Sequence, residues 1–123
     1  MESQEFSRLR KKLNKTQKQL SELLGASLKA VHSYEQGWRG IPVHVERQLL
    51  FLVFLSNEGL QNKTCWETLN CPAFRKENCP AWEFKAGTMC WFINGTICEG
   101  EAQKNWSEKI KICRTCKVLT SLI

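Results

Sequence analysis

All seven cysteines of this chain lie between Cys65 and Cys116, and none precedes Thr64. That asymmetry divides its 123 residues into two halves that cannot be built alike. A chain of this length holds one ordinary domain or two small ones. The composition shifts across Leu60-Gln61-Asn62-Lys63-Thr64, which predicts one domain over residues 1–59 and a second over 65–123. Domains this small bury a modest share of their surface, and they often need a metal, disulfides or a partner subunit.

What the cysteines can do depends on the compartment. The N-terminus, Met1-Glu2-Ser3-Gln4-Glu5, is polar and lacks the apolar stretch of a secretory leader. The longest apolar run, Leu49 to Leu55, is too short to span a bilayer. The expectation is therefore a cytoplasmic protein with no membrane partner. There, clustered cysteines bind metal or do redox work more often than they form stable disulfides. The formal net charge of +6 suits an anionic partner such as DNA without establishing one.

The first half reads as short helices. Phe6, Leu9 and Leu13 recur at helical spacing between about Glu5 and Leu13, and Asn14-Lys15 breaks the pattern. Thr16 then caps a second helix, Gln17 to Leu24, with Gln19 at the third position of a capping box. Its apolar face is expected to be Leu20, Leu23 and Leu24. Gly25 supplies the positive φ of a sharp turn. Ser27 caps a third helix, Leu28 to Gln36, with Val31 and Tyr34 in the core, and Gly37 stops it. Pro42 suits the first turn of a fourth helix, Val43 to about Asn57. Its stretch Leu49-Leu50-Phe51-Leu52-Val53-Phe54-Leu55 is apolar all round, so it must be covered on more than one side.

Two short helices joined by a tight glycine turn can present the second helix to a DNA major groove. The run Thr16-Gln17-Lys18-Gln19-Leu20-Ser21-Glu22-Leu23-Leu24-Gly25-Ala26-Ser27, followed by Val31 and Tyr34-Glu35-Gln36-Gly37, resembles the Cro and phage-repressor class of helix-turn-helix. The resemblance covers residues 5 to about 57 and departs at Leu28, where a polar reader is usual. It implies that Gln17 bonds a phosphate and that Ser27, Leu28, Lys29 and Ser33 face the groove. Lys29 would donate to guanine and Leu28 would touch a thymine methyl. It also implies that Trp38 and Arg39 approach the DNA backbone, and that Arg10 and Glu35 pair between the first and third helices. His32 is an additional candidate contact. Regulators of this class bind duplex DNA as twofold dimers.

In the second half Asn70-Cys71-Pro72 recurs as Asn78-Cys79-Pro80, and Cys65-Trp66 recurs as Cys90-Trp91. Cys113 and Cys116 form the one C-x-x-C pair. Cysteine followed by proline is common beside iron–sulfur clusters. The paired Cys-Trp dipeptides and the closing C-x-x-C resemble the two-CW cysteine-rich segment of bacterial signalling proteins, over residues 65 to about 119. That resemblance names no ligand. An iron–sulfur cluster, structural zinc, redox thiols and another cofactor all remain open. The absence of two close-spaced pairs and of histidine in this half favours the cluster over zinc.

Trp91-Phe92-Ile93-Asn94-Gly95-Thr96-Ile97-Cys98 reads as a β-hairpin with an Asn-Gly turn. In that register Cys90 and Cys98 point to opposite sides. A C-terminal helix is expected from Ser107, as N-cap, to about Leu119, with Cys113 and Cys116 on one face. The expected quartet is Cys71, Cys79, Cys113 and Cys116, with Cys65, Cys90 and Cys98 in reserve. The four tryptophans of this half, Trp66, Trp82, Trp91 and Trp106, are expected to supply its core.

The fold class expected from all this is α+β: an all-α helix-turn-helix domain of four to five helices, then a small cysteine-rich domain with a hairpin and a C-terminal helix. The expected function is a non-enzymatic, DNA-binding transcriptional regulator, a homodimer, whose cysteine-rich domain holds a redox- or oxygen-responsive iron–sulfur cluster. The alternatives are a regulator with a purely structural zinc site, or a thiol oxidoreductase using Cys113 and Cys116.

Overall fold

The computed structural model describes residues 1–56, 64–68, 72–73, 77–98, 101–121 and 123. The chain divides into two compact units, Met1–Ser56 and Asn57–Ile123.

The first unit is four helices: α1 (Ser3–Lys12), α2 (Gln17–Leu24), α3 (Leu28–Gln36) and α4 (Val43–Ser56). Their ends follow from local chemistry. Asn14, at φ 59°, takes the left-handed conformation that stops α1. The Thr16 side chain accepts from the Gln19 backbone N–H at 3.1 Å, and the Gln19 side chain accepts from the Thr16 N–H at 2.9 Å, closing the capping box. Gly25, at φ 68°, ends α2, and the Ser27 hydroxyl accepts from Ala30 N–H at 3.0 Å to start α3. Phe6, Leu9, Leu20, Val31, Leu49 and Val53 are fully buried, and Phe6 meets Tyr34 edge-on at 5.7 Å. Leu23 departs from expectation. It is exposed, and Ser21 takes its place on the buried face with Leu20 and Leu24.

The second unit corrects the expected fold class. Among the described residues there is no strand, and the regular structure is all helical. It comprises α5 (Cys65–Thr68), α6 (Pro80–Glu83), a 3₁₀ turn at Cys90–Phe92, α7 (Trp106–Cys113) and α8 (Lys117–Thr120). The hairpin does not form because its backbone donors are spent elsewhere. Phe92 and Ile93 donate to the carbonyls of Met89 and Cys90, three residues back, and Ile97 donates to the Cys79 sulfur at 3.2 Å. Asn94-Gly95 does turn the chain, with Thr96 N–H donating to Ile93 C=O at 3.3 Å. Neither residue has positive φ, however, and a two-residue type I′ hairpin turn requires it at both. Among the described residues, one isolated antiparallel bridge, Cys98 with Glu101, is the pairing that results.

The C-terminal helix is also two helices rather than one. Asn105, not Ser107, is the N-cap of α7, and its side chain accepts from Glu108 N–H at 3.0 Å. Cys116 is extended, at φ −91° and ψ 136°, and serves as the N-cap residue of α8. The 3₁₀ turn packs on both α7 and α8, and α5 packs on α8. Trp91 and Leu119 are buried at the centre of this arrangement. No helix among the described residues is long and apolar enough to cross a membrane.

Candidate nucleic-acid interface and thiol cavity

In the first unit the turn at Gly25 sets the start of α3 outward. Ser27, Leu28 and Lys29 are exposed there, while Ala30, Val31 and Tyr34 face the core. His32 and Ser33 are half-buried. The His32 ring meets Trp38 edge-on at 5.5 Å, and Trp38 N–H donates to Ser33 C=O at 3.0 Å. The Trp38 side chain is 73% exposed and Arg39 is exposed beside it. An indole left in water beside the exposed start of α3 is costly unless something covers it.

A charged clamp fixes α3 from behind. The Arg10 guanidinium donates to both oxygens of Glu35, through Nε to Oε1 and through Nη2 to Oε2 at 3.2 Å. Its Nη1 also donates to Lys15 C=O at 2.9 Å, and Gln17 Nε2 donates to Glu35 Oε2 at 2.9 Å. Burial opposes ionisation of Glu35, but the hydrogen bonds from Arg10 and Gln17, with the charge of Arg10, hold its carboxyl below the usual carboxylate value. The carboxylate of Glu35 thus joins α1, α2 and α3. Gln17, which the resemblance assigns to a phosphate, is held in place by this clamp.

In the second unit Cys71 lies outside the described residues. The other six, Cys65, Cys79, Cys90, Cys98, Cys113 and Cys116, are free thiols. Four of them, Cys90, Cys98, Cys113 and Cys116, line one cavity of about 350 Å³, with Trp91 and Leu119 among its apolar walls. Cys79 is not among the described residues of that lining, and its sulfur accepts the Ile97 N–H. The sequence argument that Cys90 and Cys98 diverge depended on a hairpin that does not form. With the chain coiled at 90–92 and turned at 93–96, both reach the same cavity. No three His, Cys, Asp or Glu side chains among the described residues group tightly enough to hold a single metal ion.

Lys109 is not among the described residues lining that cavity, but it reaches one of its thiols. Its side chain is wholly buried, and its Nζ donates to Thr96 Oγ1 and, at 3.3 Å, to Cys98 Sγ. Burial lowers its pKa, and the neighbouring Cys113, Cys98 and Cys90, with the hydrogen bond to Cys98, raise it on balance. Cys113 is pushed up to about 11, chiefly by burial, against the pull of Lys109. Cys65 and Cys90 share a hydrogen bond that lowers Cys65 to about 7, with help from backbone N–H groups, and raises Cys90.

Sequence reasoning missed Lys109 because lysines are seldom buried. The signal was present: Trp106, Lys109, Ile110 and Cys113 are spaced three, four and seven apart, the stripe that a helix buries. The donor set of four thiols, one buried cation and apolar walls fits a soft, anionic group such as an iron–sulfur cluster. The chain matches no protein-family model, no characterised protein and no solved structure with which it was compared.

Proposed function

We propose that this chain is a cytoplasmic transcriptional regulator that binds duplex DNA as a homodimer through α3, and that its second unit holds a redox-responsive iron–sulfur cluster governing that binding. The observation that carries the DNA reading is the exposed start of α3. Leu28 and Lys29 stand clear of the core, Trp38 and Arg39 flank them, and the Arg10–Glu35–Gln17 clamp holds the helix in one orientation. Lys29 supplies donors for a guanine edge, Leu28 an apolar surface for a thymine methyl, and Arg39 a cation for phosphate. The Ser27 hydroxyl caps α3 as an acceptor and keeps its own proton to donate.

An iron–sulfur cluster, when bound, supplies one-electron chemistry and sensitivity to oxygen. The protein's part is to exclude water with Trp91 and Leu119, to present thiolates, and to balance their charge with Lys109. The test is selection from a random duplex pool with anaerobically prepared, iron-loaded protein. A recurring twofold site supports the proposal, and no enrichment refutes it.

A further inference from the structure

We infer that Cys90, Cys98, Cys113 and Cys116 are the four thiolate ligands of the cluster, and that Lys109 is a buried hydrogen-bond donor to the ligand sulfur of Cys98. This inference rests on the reading that the second unit binds an iron–sulfur cluster, and it fixes which residues do so.

The cavity selects the set. These four cysteines line one space of about 350 Å³, although Cys90 and Cys116 are 26 positions apart in the chain. They come from four places: the 3₁₀ turn, the loop beyond Thr96, the end of α7 and the N-cap of α8. A ligand held by all four would tie together the elements that make the unit, so its binding would contribute directly to folding. A single zinc ion, at about 2.3 Å from each sulfur, needs the sulfurs drawn into contact with one another. Four thiols set around a space large enough for several atoms suit a group with several metal and sulfide atoms instead. Both common cluster types take four thiolates.

The remaining described cysteines, Cys65 and Cys79, are not among the described residues that line this cavity. The Cys79 sulfur accepts the Ile97 N–H. On that ground neither Cys65 nor Cys79 is assigned as a ligand.

Lys109 completes the site. Four thiolates in an apolar cavity are costly unless an opposite charge is buried with them. The Lys109 amine already donates to Cys98 and is held by the Thr96 hydroxyl. A donor and a positive charge beside a ligand sulfur favour the more negative, reduced cluster, so Lys109 sets the reduction potential upward.

The experiment loads the full chain anaerobically with ferrous iron and sulfide, alongside seven variants, each with one cysteine changed to serine. Iron, sulfide and visible absorbance are read for each. The expected result is a coloured wild-type protein, loss of the cluster in Cys90→Ser, Cys98→Ser, Cys113→Ser and Cys116→Ser, and retention in Cys65→Ser, Cys71→Ser and Cys79→Ser. Alkylation of the unsubstituted chain removes any dependence on variant folding. Cys98 and Cys116, both half-buried, should be protected in the loaded protein and react after a chelator strips it. Lys109→Met should load less iron, and the fraction that loads should show a more negative midpoint in a dithionite titration.

A wild-type protein that takes up no iron and sulfide, or only colourless zinc, overturns both the cluster reading and this assignment. A loaded wild-type protein overturns the assignment alone in three cases: one of the four variants stays fully loaded, Cys71→Ser loses the cluster as completely as the four, or Cys98 and Cys116 are alkylated with the cluster intact. An unchanged midpoint in Lys109→Met overturns the role of Lys109.

Discussion

The Lys109 ammonium donates a hydrogen bond to the Cys98 sulfur at 3.3 Å from a side chain that is wholly buried. Methionine at 109 would keep most of the apolar stem and remove the charge. In the cluster-free chain the Thr96 hydroxyl and the Cys98 thiol would then lose their shared donor. The Thr96 hydroxyl would keep its bond to Ile93 C=O, and each net hydrogen bond lost costs about 0.5–1.5 kcal/mol. Thermal unfolding of Lys109→Met should show the second unit melting earlier, with the transition of the first unit unmoved. An unchanged second transition would mean that the buried amine contributes nothing to the fold.

The pairing of Arg10 with Glu35 predicts a large loss from either single change. Both side chains are mostly buried, at 15% and 8% exposure. Arg10→Met leaves the part-buried carboxylate with Gln17 as its remaining side-chain donor, at a cost of about 1–3 kcal/mol. The pairing also predicts a pH dependence. Because Glu35 is held below its ordinary value of 4.5, the folded state binds that proton more weakly than the unfolded chain does. Its contribution to stability is full above the ordinary value and is lost as pH falls through the folded one. Glu35→Gln should therefore lower stability at neutral pH and flatten the acid limb of the stability curve. An acid limb identical to that of wild type would contradict this.

Gly25 tests the turn without disturbing any packing. A Cβ built there meets nothing within 4 Å, so the cost of Gly25→Ala comes from the backbone alone, at φ 68°. Holding a side-chain-bearing residue left-handed costs about 1–2 kcal/mol, and asparagine tolerates that conformation better than alanine. Chemical denaturation should rank the wild type above Gly25→Asn and Gly25→Ala lowest. Equal stability of all three would show that the turn relaxes.

Gly87 makes the opposite case, where space is the constraint. A Cβ there would lie 2.6 Å from Thr64 Cβ and 2.7 Å from the Trp66 ring, and Gly87 C=O accepts from Cys65 N–H at 2.7 Å. Gly87→Ala must displace the segment that carries Cys65, and it should cost about 1–3 kcal/mol, as overpacking typically does. The indole of Trp66 lies edge-on to Trp82 at 4.9 Å, so tryptophan fluorescence should report the change. Unaltered emission with unaltered stability would refute it.

The first unit was legible because its signals are local. Thr16, Gly25, Ser27 and Gly37 each fix a helix end through their own side chain or backbone, and α2 and α3 begin and end where those residues dictate. Leu23 misled because a leucine on an amphipathic helix does not declare how wide the buried stripe is. The second unit was less legible because its backbone bonds are settled at a distance. Asn94-Gly95 carries a hairpin signal, but the Ile97 N–H that would pair across the turn goes to Cys79, eighteen positions earlier. Once the hairpin is lost, Cys90 and Cys98 converge, and the pair set aside on that ground enters the cavity. The Arg10–Glu35 pair came from a family resemblance, since nothing in the spacing of two residues 25 apart announces a contact.

The most direct measurement is the affinity of the iron-loaded protein for its selected duplex and for random duplex across a salt series, with Lys29→Ala alongside. Lysine and arginine contacts to phosphate release counterions, so affinity for both duplexes should fall steeply as salt rises. Lys29→Ala should narrow the gap between selected and random duplex by about 1–3 kcal/mol, the worth of one good base contact, and leave the random-duplex affinity nearly unchanged. Equal affinity of the wild-type protein for the selected and random duplexes, or an unchanged gap in Lys29→Ala, would contradict the assignment of α3 as the reader of DNA sequence.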